Sequence, residues 1–126
     1  MNLKELTAEI HQNAVEHGWW EEERTFGEII ALCHSELSEA LEEHRNKKQH
    51  MYFNCMRQDG GDGCYMGECA KCAKYGKPEG IPIELADCII RILDYCGHVD
   101  IDIEEAIKIK HEYNKTRPYR HGGKVI

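Results

Sequence analysis

Two short carboxylate motifs have a spacing that suits a metal ion. Glu36 and Glu39 are three residues apart, and so are Glu84 and Asp87. Residues three or four apart share one face of an α-helix, so each motif would present two carboxylates on one side. Carboxylate oxygens are the ligands that Mg²⁺ prefers in proteins. The two motifs therefore predict a Mg²⁺ site, provided that their helices face each other.

Either motif alone is more typical of a solvated helix surface than of a metal site, so the pairing carries the prediction. The second motif lies in IPIELADCIIRILDYCG, a stretch that is apolar nearly all round and predicts the most buried helix of the chain. Carboxylates on such a helix are costly unless a cation compensates their charge. We expect Arg91 to compensate one of them and a divalent cation to compensate the rest, in the core of a helix bundle.

The C-terminal segment carries the opposite charge. The net charge is −7, yet residues 108–126 hold six Lys or Arg and a single Glu, so the rest of the chain totals −12. Helical spacing places Lys110 and Asn114 on the line begun by Ile103 and Ile107, which predicts a polar inward face. Cations and amides of this kind suit phosphate groups. A basic tail on an acidic body makes a protein that simply coats nucleic acid an unattractive interpretation.

Helix start signals indicate how these residues are positioned. Three capping-box patterns are present: Asn2 with Glu5, Thr25 with Glu28, and Asp102 with Glu105. Pro82 marks a fourth start. The predicted helices run over 3–17, 26–46, 82–96 and 103–116. No stretch alternates with period two, so we predict no sheet and a single all-α domain over 1–126, a four-helix bundle.

A Gly- and Cys-rich insertion at about 47–77 interrupts this bundle between the second and third helices. Its cysteines follow the spacing C-x₈-C-x₄-C-x₂-C, at Cys55, Cys64, Cys69 and Cys72. Four thiolates suffice for a tetrahedral Zn²⁺ site, and His50 could replace one of them. The alternative is a loop of free thiols. We hypothesise a lid or subunit-contact role for the insertion, and we predict that Cys33, Cys88 and Cys96 are small buried hydrophobes.

Hydropathy predicts no membrane segment. No run approaches the roughly 18 apolar residues of a transmembrane helix, and the first ten residues lack an apolar signal region. We therefore expect a cytoplasmic protein, in which seven cysteines are reduced thiols or metal ligands rather than disulfides.

Three segments together resemble the MazG-like, all-α nucleotide pyrophosphohydrolases. They are ELSEALEEHR (36–45), PEGIPIELADCIIRILD (78–94) and KHEYNKTRPYRHGGK (110–124). The resemblance implies Mg²⁺-dependent hydrolysis of a ribo- or deoxyribonucleoside triphosphate to the monophosphate and pyrophosphate. It places the Mg²⁺ ligands and catalytic residues at Glu36, Glu39, Glu84 and Asp87. Glu39 is our first choice for orienting or deprotonating the attacking water, with Glu36 or Glu43 as alternatives.

The resemblance also implies how the substrate binds. The residues expected to contact phosphate or sugar are Lys110, Asn114, Arg117, Arg120 and Lys124. Trp19, Trp20 and Tyr119 are candidates for stacking on the base, although the tryptophans are equally typical of a core. Members of the family are commonly homodimers or homotetramers. A competing interpretation is a non-catalytic zinc module that contacts nucleic acid or a protein through its basic tail. Motifs indicate neither the preferred base nor the preferred sugar.

Overall fold

The computed structural model describes residues 2–48, 50–54 and 76–125, which form helices and one small sheet. The elements are α1 (Leu3–Glu16), α2 (Phe26–Arg45), β1 (Tyr52–Asn54), β2 (Lys77–Glu79), α3 (Ile81–Val99), α4 (Ile103–Thr116) and the short turn α5 (Arg120–Gly123). The chain is mostly helical, in agreement with the predicted all-α class. Within the described ranges, no helix combines the length and apolar character needed to cross a membrane.

The predicted helix starts are confirmed by their caps. The side chain of Asn2 accepts a hydrogen bond from the backbone N–H of Glu5 at 2.7 Å, and Asp102 accepts one from Glu105 at 3.1 Å. Thr25 and Glu28 form both halves of a capping box. These side chains satisfy N–H groups that have no partner within the first turn of a helix.

Helix α3 runs three residues beyond its predicted end. Gly97, which resembles a stop signal in the sequence, lies inside the helix. A Cβ atom at this position would come within 2.6 Å of the Cβ of His11. The glycine therefore allows α1 to approach α3 closely and does not end the helix.

The prediction that no sheet forms is wrong. Strands β1 and β2 pair antiparallel, with Tyr52 opposite Glu79 and Asn54 opposite Lys77. Each strand has three residues, too few for alternation to be visible in the sequence. Gly80 connects β2 to α3 with a φ of +112°, and a Cβ there would collide with the carbonyl of His50. Only glycine fits this junction without strain.

The chain divides into two compact units, residues 1–22 with 93–126, and residues 23–92. In the first unit, α1 packs against α4. In the second unit, α2 and α3 meet where Nε of Arg91 donates to Glu36, and Ile29, Cys33, Ala40 and Cys88 are buried. Cys33, Cys88 and Cys96 are buried free thiols, as predicted. The predicted zinc ligands Cys55, Cys64, Cys69 and Cys72 lie outside the described residues.

Helix α3 is the most buried of the described helices, as predicted. Six of its 19 residues are exposed, against 14 of 20 on α2. Cys88, Leu93 and Cys96 are buried, but Leu85 is 44% exposed and Ile89 is 54% exposed. The helix is therefore not enclosed all round, and an apolar side of it faces outward.

Candidate metal centre

Three of the four predicted metal ligands meet between α2 and α3. Glu36, Glu39 and Glu84 each place one carboxylate oxygen within 4.8 Å of the other two. Glu36 is buried, Glu84 is half-buried and Glu39 is exposed. The cluster therefore has an inner and an outer side. Asp87 is not in this group of three but lines the same cavity.

The cavity beside the cluster is dominated by acidic groups. It has a volume of about 440 Å³, within the range of roughly 300–1,000 Å³ that is usual for small-molecule sites. Seven carboxylates line it: Glu36, Glu39, Glu42, Glu43, Glu79, Glu84 and Asp87. Among the described lining residues, Lys77 is the only Lys or Arg. So many carboxylates around one cavity repel each other unless protons or cations intervene.

Arg91 neutralises the innermost carboxylate. Its Nε donates a hydrogen bond to Oε1 of Glu36 at 2.6 Å, and the Glu36 side chain is only 8% exposed. Burial alone would raise the pKa of Glu36, but the hydrogen bond and charge of Arg91 outweigh it and hold the pKa below its ordinary value. Glu36 is therefore ionised at neutral pH, which confirms the expectation that Arg91 compensates one carboxylate.

The other carboxylates of the cluster hold their protons more tightly than usual. The hydrogen bond with Glu36, followed by burial, raises the pKa of Glu39. Burial, followed by the hydrogen bond with Glu39, raises the pKa of Glu84 to about 7. Burial and the negative charge of Glu36 raise the pKa of Asp87. Burial and the neighbouring negative charges thus disfavour ionisation of all these carboxylates together.

A hard divalent cation fits this donor set. Oxygens that bind one Mg²⁺ at about 2.0–2.1 Å lie about 3 to 4 Å apart. The carboxylate oxygens of the cluster lie within 4.8 Å of one another, so small side-chain rotations would bring them to these distances. The donors among the described residues are all oxygens, which favours Mg²⁺ over metals that prefer nitrogen or sulfur. Glu36, Glu39 and Glu84 would hold the ion directly, with Asp87 within reach of the same cavity.

The two-stranded sheet contributes a wall of the cavity that the sequence did not predict. The hydroxyl of Tyr52 on β1 donates to both carboxylate oxygens of Glu43 on α2, at 2.9 and 3.0 Å. Burial and this contact raise the pKa of the Tyr52 hydroxyl. The carboxylate of Glu79 on β2 accepts a hydrogen bond from the side-chain amide of Asn54. Its Oε1 lies 3.4 Å from Nζ of Lys77. Tyr52 and Asn54 belong to the insertion, and no signal in the sequence separates them from the rest of it.

The predicted phosphate-binding residues lie in the other unit, on α4 and the C-terminal segment. Lys110 and Asn114 are exposed, and α4 buries no residue completely, so the predicted inward polar face is not present in the described chain. Lys110 and Arg117 lie over the ring of Tyr113, at 4.8 and 5.8 Å from its centroid. Tyr119, which is 85% exposed, has Arg120 over its ring. Lys124 is exposed as well.

Trp20, a predicted base-stacking residue, is engaged within the first unit. Its indole Nε1 donates to both oxygens of Asp94, at 2.9 and 3.1 Å. One face of the indole stacks on His98, with ring centroids 3.7 Å apart. Nδ1 of His11 lies 2.8 Å from the same carboxylate. Trp19 is 56% exposed.

Comparisons with known proteins add no assignment to this geometry. No protein-family model, no curated protein and no solved structure matches the chain.

Proposed function

We propose that the protein is a Mg²⁺-dependent nucleoside triphosphate pyrophosphohydrolase, as its resemblance to the MazG-like enzymes implies. The observation that carries the proposal is the convergence of Glu36, Glu39 and Glu84 in an acidic cavity. Their positions are those of the Mg²⁺ ligands in the resemblance. A surface of solvated carboxylates would explain neither the buried Glu36 nor the raised pKa of Glu84.

Each carboxylate of the cavity has a distinct part in the proposed reaction. Mg²⁺, when bound, would neutralise phosphate charge and make water more acidic. Glu36 is fixed by Arg91, and Glu43 is engaged by Tyr52. Glu39 is the exposed member of the three alternatives and faces the other acidic groups. It is therefore the best placed to orient the attacking water and accept its proton.

The remaining substrate contacts rest on the resemblance alone. We assign phosphate and sugar binding to Lys110, Asn114, Arg117, Arg120 and Lys124, and base stacking to Tyr119 and the tryptophans. A cavity lined by carboxylates attracts a nucleotide only when a cation accompanies it, so these donors would supply the positive charge that the cavity lacks. The resemblance further implies a homodimer or homotetramer.

A product assay tests the proposal. The wild-type protein is incubated with a panel of ribo- and deoxyribonucleoside triphosphates and Mg²⁺, and pyrophosphate and orthophosphate are measured separately. We expect the nucleoside monophosphate and pyrophosphate in equal amounts. Orthophosphate as the first product would contradict the proposal and indicate stepwise removal of the terminal phosphate.

The same assay separates the enzyme from a non-catalytic module. A module that contacts nucleic acid through its basic tail would release no product and would bind DNA or RNA with an affinity that falls steeply as salt rises. The acidic cavity has no part in that interpretation.

We also retain a structural Zn²⁺ site at Cys55, Cys64, Cys69 and Cys72 as a proposal, with His50 as an alternative ligand. Metal analysis of the purified protein should give one Zn²⁺ per chain. Replacement of Cys69 and Cys72 by Ser should abolish this zinc, whereas replacement of the buried Cys33 should leave it in place. Zinc retained after the double replacement would contradict the assignment.

A further inference from the structure

A single basic side chain lines the described part of the acidic cavity. Lys77 lies on β2, in the wall that the two-stranded sheet contributes, and among the described lining residues it is the only Lys or Arg. Its side chain is 67% exposed, so solvent reaches the ammonium group. An accessible cation among seven carboxylates is the group that attracts an incoming anion.

Contacts within the sheet hold Lys77 at this wall. Its Nζ lies 3.4 Å from Oε1 of Glu79, whose side chain is only 20% exposed. The other carboxylate oxygen of Glu79 accepts a hydrogen bond from the side-chain amide of Asn54, the residue that pairs with Lys77 on the opposite strand. Glu79 is thus held by Asn54 and in turn holds the ammonium group of Lys77.

The positive charge of Lys77 also reaches α3. Burial and the negative charge of Glu36 raise the pKa of Asp87, and the charges of Arg91 and Lys77 act in the opposite direction. The ammonium group is therefore close enough to Asp87 to influence a carboxylate on the far side of the sheet wall.

The ion pair with Glu79 does not use the full bonding capacity of Lys77. A lysine ammonium group has three N–H donors. Among the described residues, Glu79 is its one ion-pair partner, so donors remain for a ligand in the cavity. An ion pair with so exposed a lysine contributes only about 0–1 kcal/mol to stability, which is a weak reason to place a cation here.

We propose that Lys77 binds a phosphate oxygen of the metal-bound nucleotide. The inference rests on the proposed function and adds a phosphate contact in the same unit as the carboxylates. Seven carboxylates and a triphosphate exceed the charge of a divalent cation, so a further positive group lowers their repulsion. A lysine ammonium group binds phosphate as a point charge. Lys77 lies outside the three segments that resemble the MazG-like enzymes, so the resemblance does not assign it.

Calorimetric titration with inorganic tripolyphosphate and Mg²⁺ tests the proposal, because this probe lacks both base and sugar. Lys77→Met should weaken binding at least about tenfold, since a charge-assisted hydrogen bond is lost. Lys77→Arg keeps the charge and should retain most of the affinity. The matched control is Lys115→Met, which should bind as the wild type does. Lys115 is also paired with one glutamate, at 2.7 Å, and its side chain is 57% exposed, but it does not line the cavity.

A second variant covers the case in which methionine disturbs the sheet. The amide of Lys77→Gln can still donate to Glu79 but carries no charge, so this variant should fold and should also bind tripolyphosphate more weakly. Circular dichroism checks the fold of each variant. Wild-type affinity in a folded Lys77→Gln or Lys77→Met variant would overturn the proposal, and so would a wild-type protein that binds no tripolyphosphate with Mg²⁺.

Nucleotide turnover separates this inference from the proposed function. Pyrophosphate release by the wild type, with an unchanged KM in Lys77→Met, would overturn the role of Lys77 and leave the hydrolysis standing. Tripolyphosphate binding that depends on Lys77, without pyrophosphate release from any nucleoside triphosphate, would support the phosphate contact and contradict the hydrolysis.

Discussion

Helix α3 carries two carboxylates, Glu84 and Asp94, whose surroundings differ completely. Asp94 accepts hydrogen bonds from the indole N–H of Trp20 and lies 2.8 Å from Nδ1 of His11, so polar ring nitrogens surround its charge within the first unit. Glu84 meets mainly other carboxylates, and its pKa is raised to about 7. Two carboxylates on one helix thus differ in their surroundings. Hydrogen bonds stabilise the charge of Asp94, whereas neighbouring carboxylates destabilise the charge of Glu84.

This difference separates a structural role from a functional one. A carboxylate surrounded by donors contributes to stability, and its loss leaves those donors without an acceptor. A carboxylate surrounded by like charges reduces stability and is retained where the charge has a use, such as holding a cation. Substitutions at Glu39, Asp94 and Glu84 should therefore separate the two roles.

The largest effect should come from Glu39→Gln in the cluster. If Glu39 accepts a proton from the attacking water, its amide cannot do so, and the rate of pyrophosphate release should fall at least about 100-fold. The fold should be unchanged because the side chain is exposed. Circular dichroism and steady-state rates provide the measurement. The control is Glu9→Gln on the exposed surface of α1. A similar loss of rate in this variant would contradict a specific role for Glu39.

Asp94→Asn should instead reduce stability. One acceptor oxygen becomes an amide N–H₂ that faces the indole N–H of Trp20 or the ring of His11, so the free energy of unfolding should fall by about 1–3 kcal/mol. Urea denaturation measures the change. Asp100→Asn is a matched control, because Asp100 is exposed and its φ of +60° suits asparagine. Equal stability of the two variants would contradict a structural role for Asp94.

Glu84→Gln should stabilise the metal-free protein in a pH-dependent way. The folded-state pKa of Glu84 is about 7, above the ordinary value of 4.5, so the folded state holds a proton that the unfolded state releases. The wild type therefore loses stability as pH rises from about 4.5 to 7. The variant avoids this loss and should gain about 1–2 kcal/mol at pH 8, after allowance for solvent screening.

The gain of Glu84→Gln should be absent near pH 4, where Glu84 is protonated in both states. Thermal unfolding at several pH values provides the comparison, and a gain that is independent of pH would indicate a different cause. Added Mg²⁺ should reverse the order at pH 8, since a ligand that binds the folded state stabilises the wild type more than a variant with one ligand fewer.

Tyr52→Phe should have the smallest effect. It removes the hydroxyl that donates to Glu43 and ties β1 to α2, at a cost of about 0.5–1 kcal/mol. Chemical denaturation measures the free energy of unfolding of this variant and of the control Tyr113→Phe, at a residue that is 55% exposed. The difference between the two gives the contribution of the hydrogen bond from Tyr52 to Glu43. No difference between the two variants would mean that the sheet does not depend on this hydrogen bond.

Local signals in the sequence predicted most of the helical architecture. The caps at Asn2, Thr25 and Asp102 fix three helix starts within a residue, because a side chain and a backbone N–H three positions apart are sufficient to define them. The role of Gly97 depends on α1, which is distant in sequence, so a local interpretation placed the end of α3 too early.

The candidate site was predictable only in part for the same reason. The three-residue spacing of carboxylates fixed which side chains share a helix face, and the structure brings Glu36, Glu39 and Glu84 together. The contribution of Tyr52 and Glu79 depends on the pairing of two strands that are separated by more than twenty residues. The exposure of Ile89 was missed because hydropathy alone does not show which apolar residues of a helix the rest of the fold covers.

The pairing of Asn54 with Lys77 has a consequence for the order in which the fold assembles. Paired residues on adjacent strands lie about 5 Å apart, so the ladder brings together two positions that are 23 residues apart in the chain. Closing such a separation costs chain entropy, whereas a helix forms from neighbouring residues. We therefore expect the β2 wall of the cavity to form after α2 and α3.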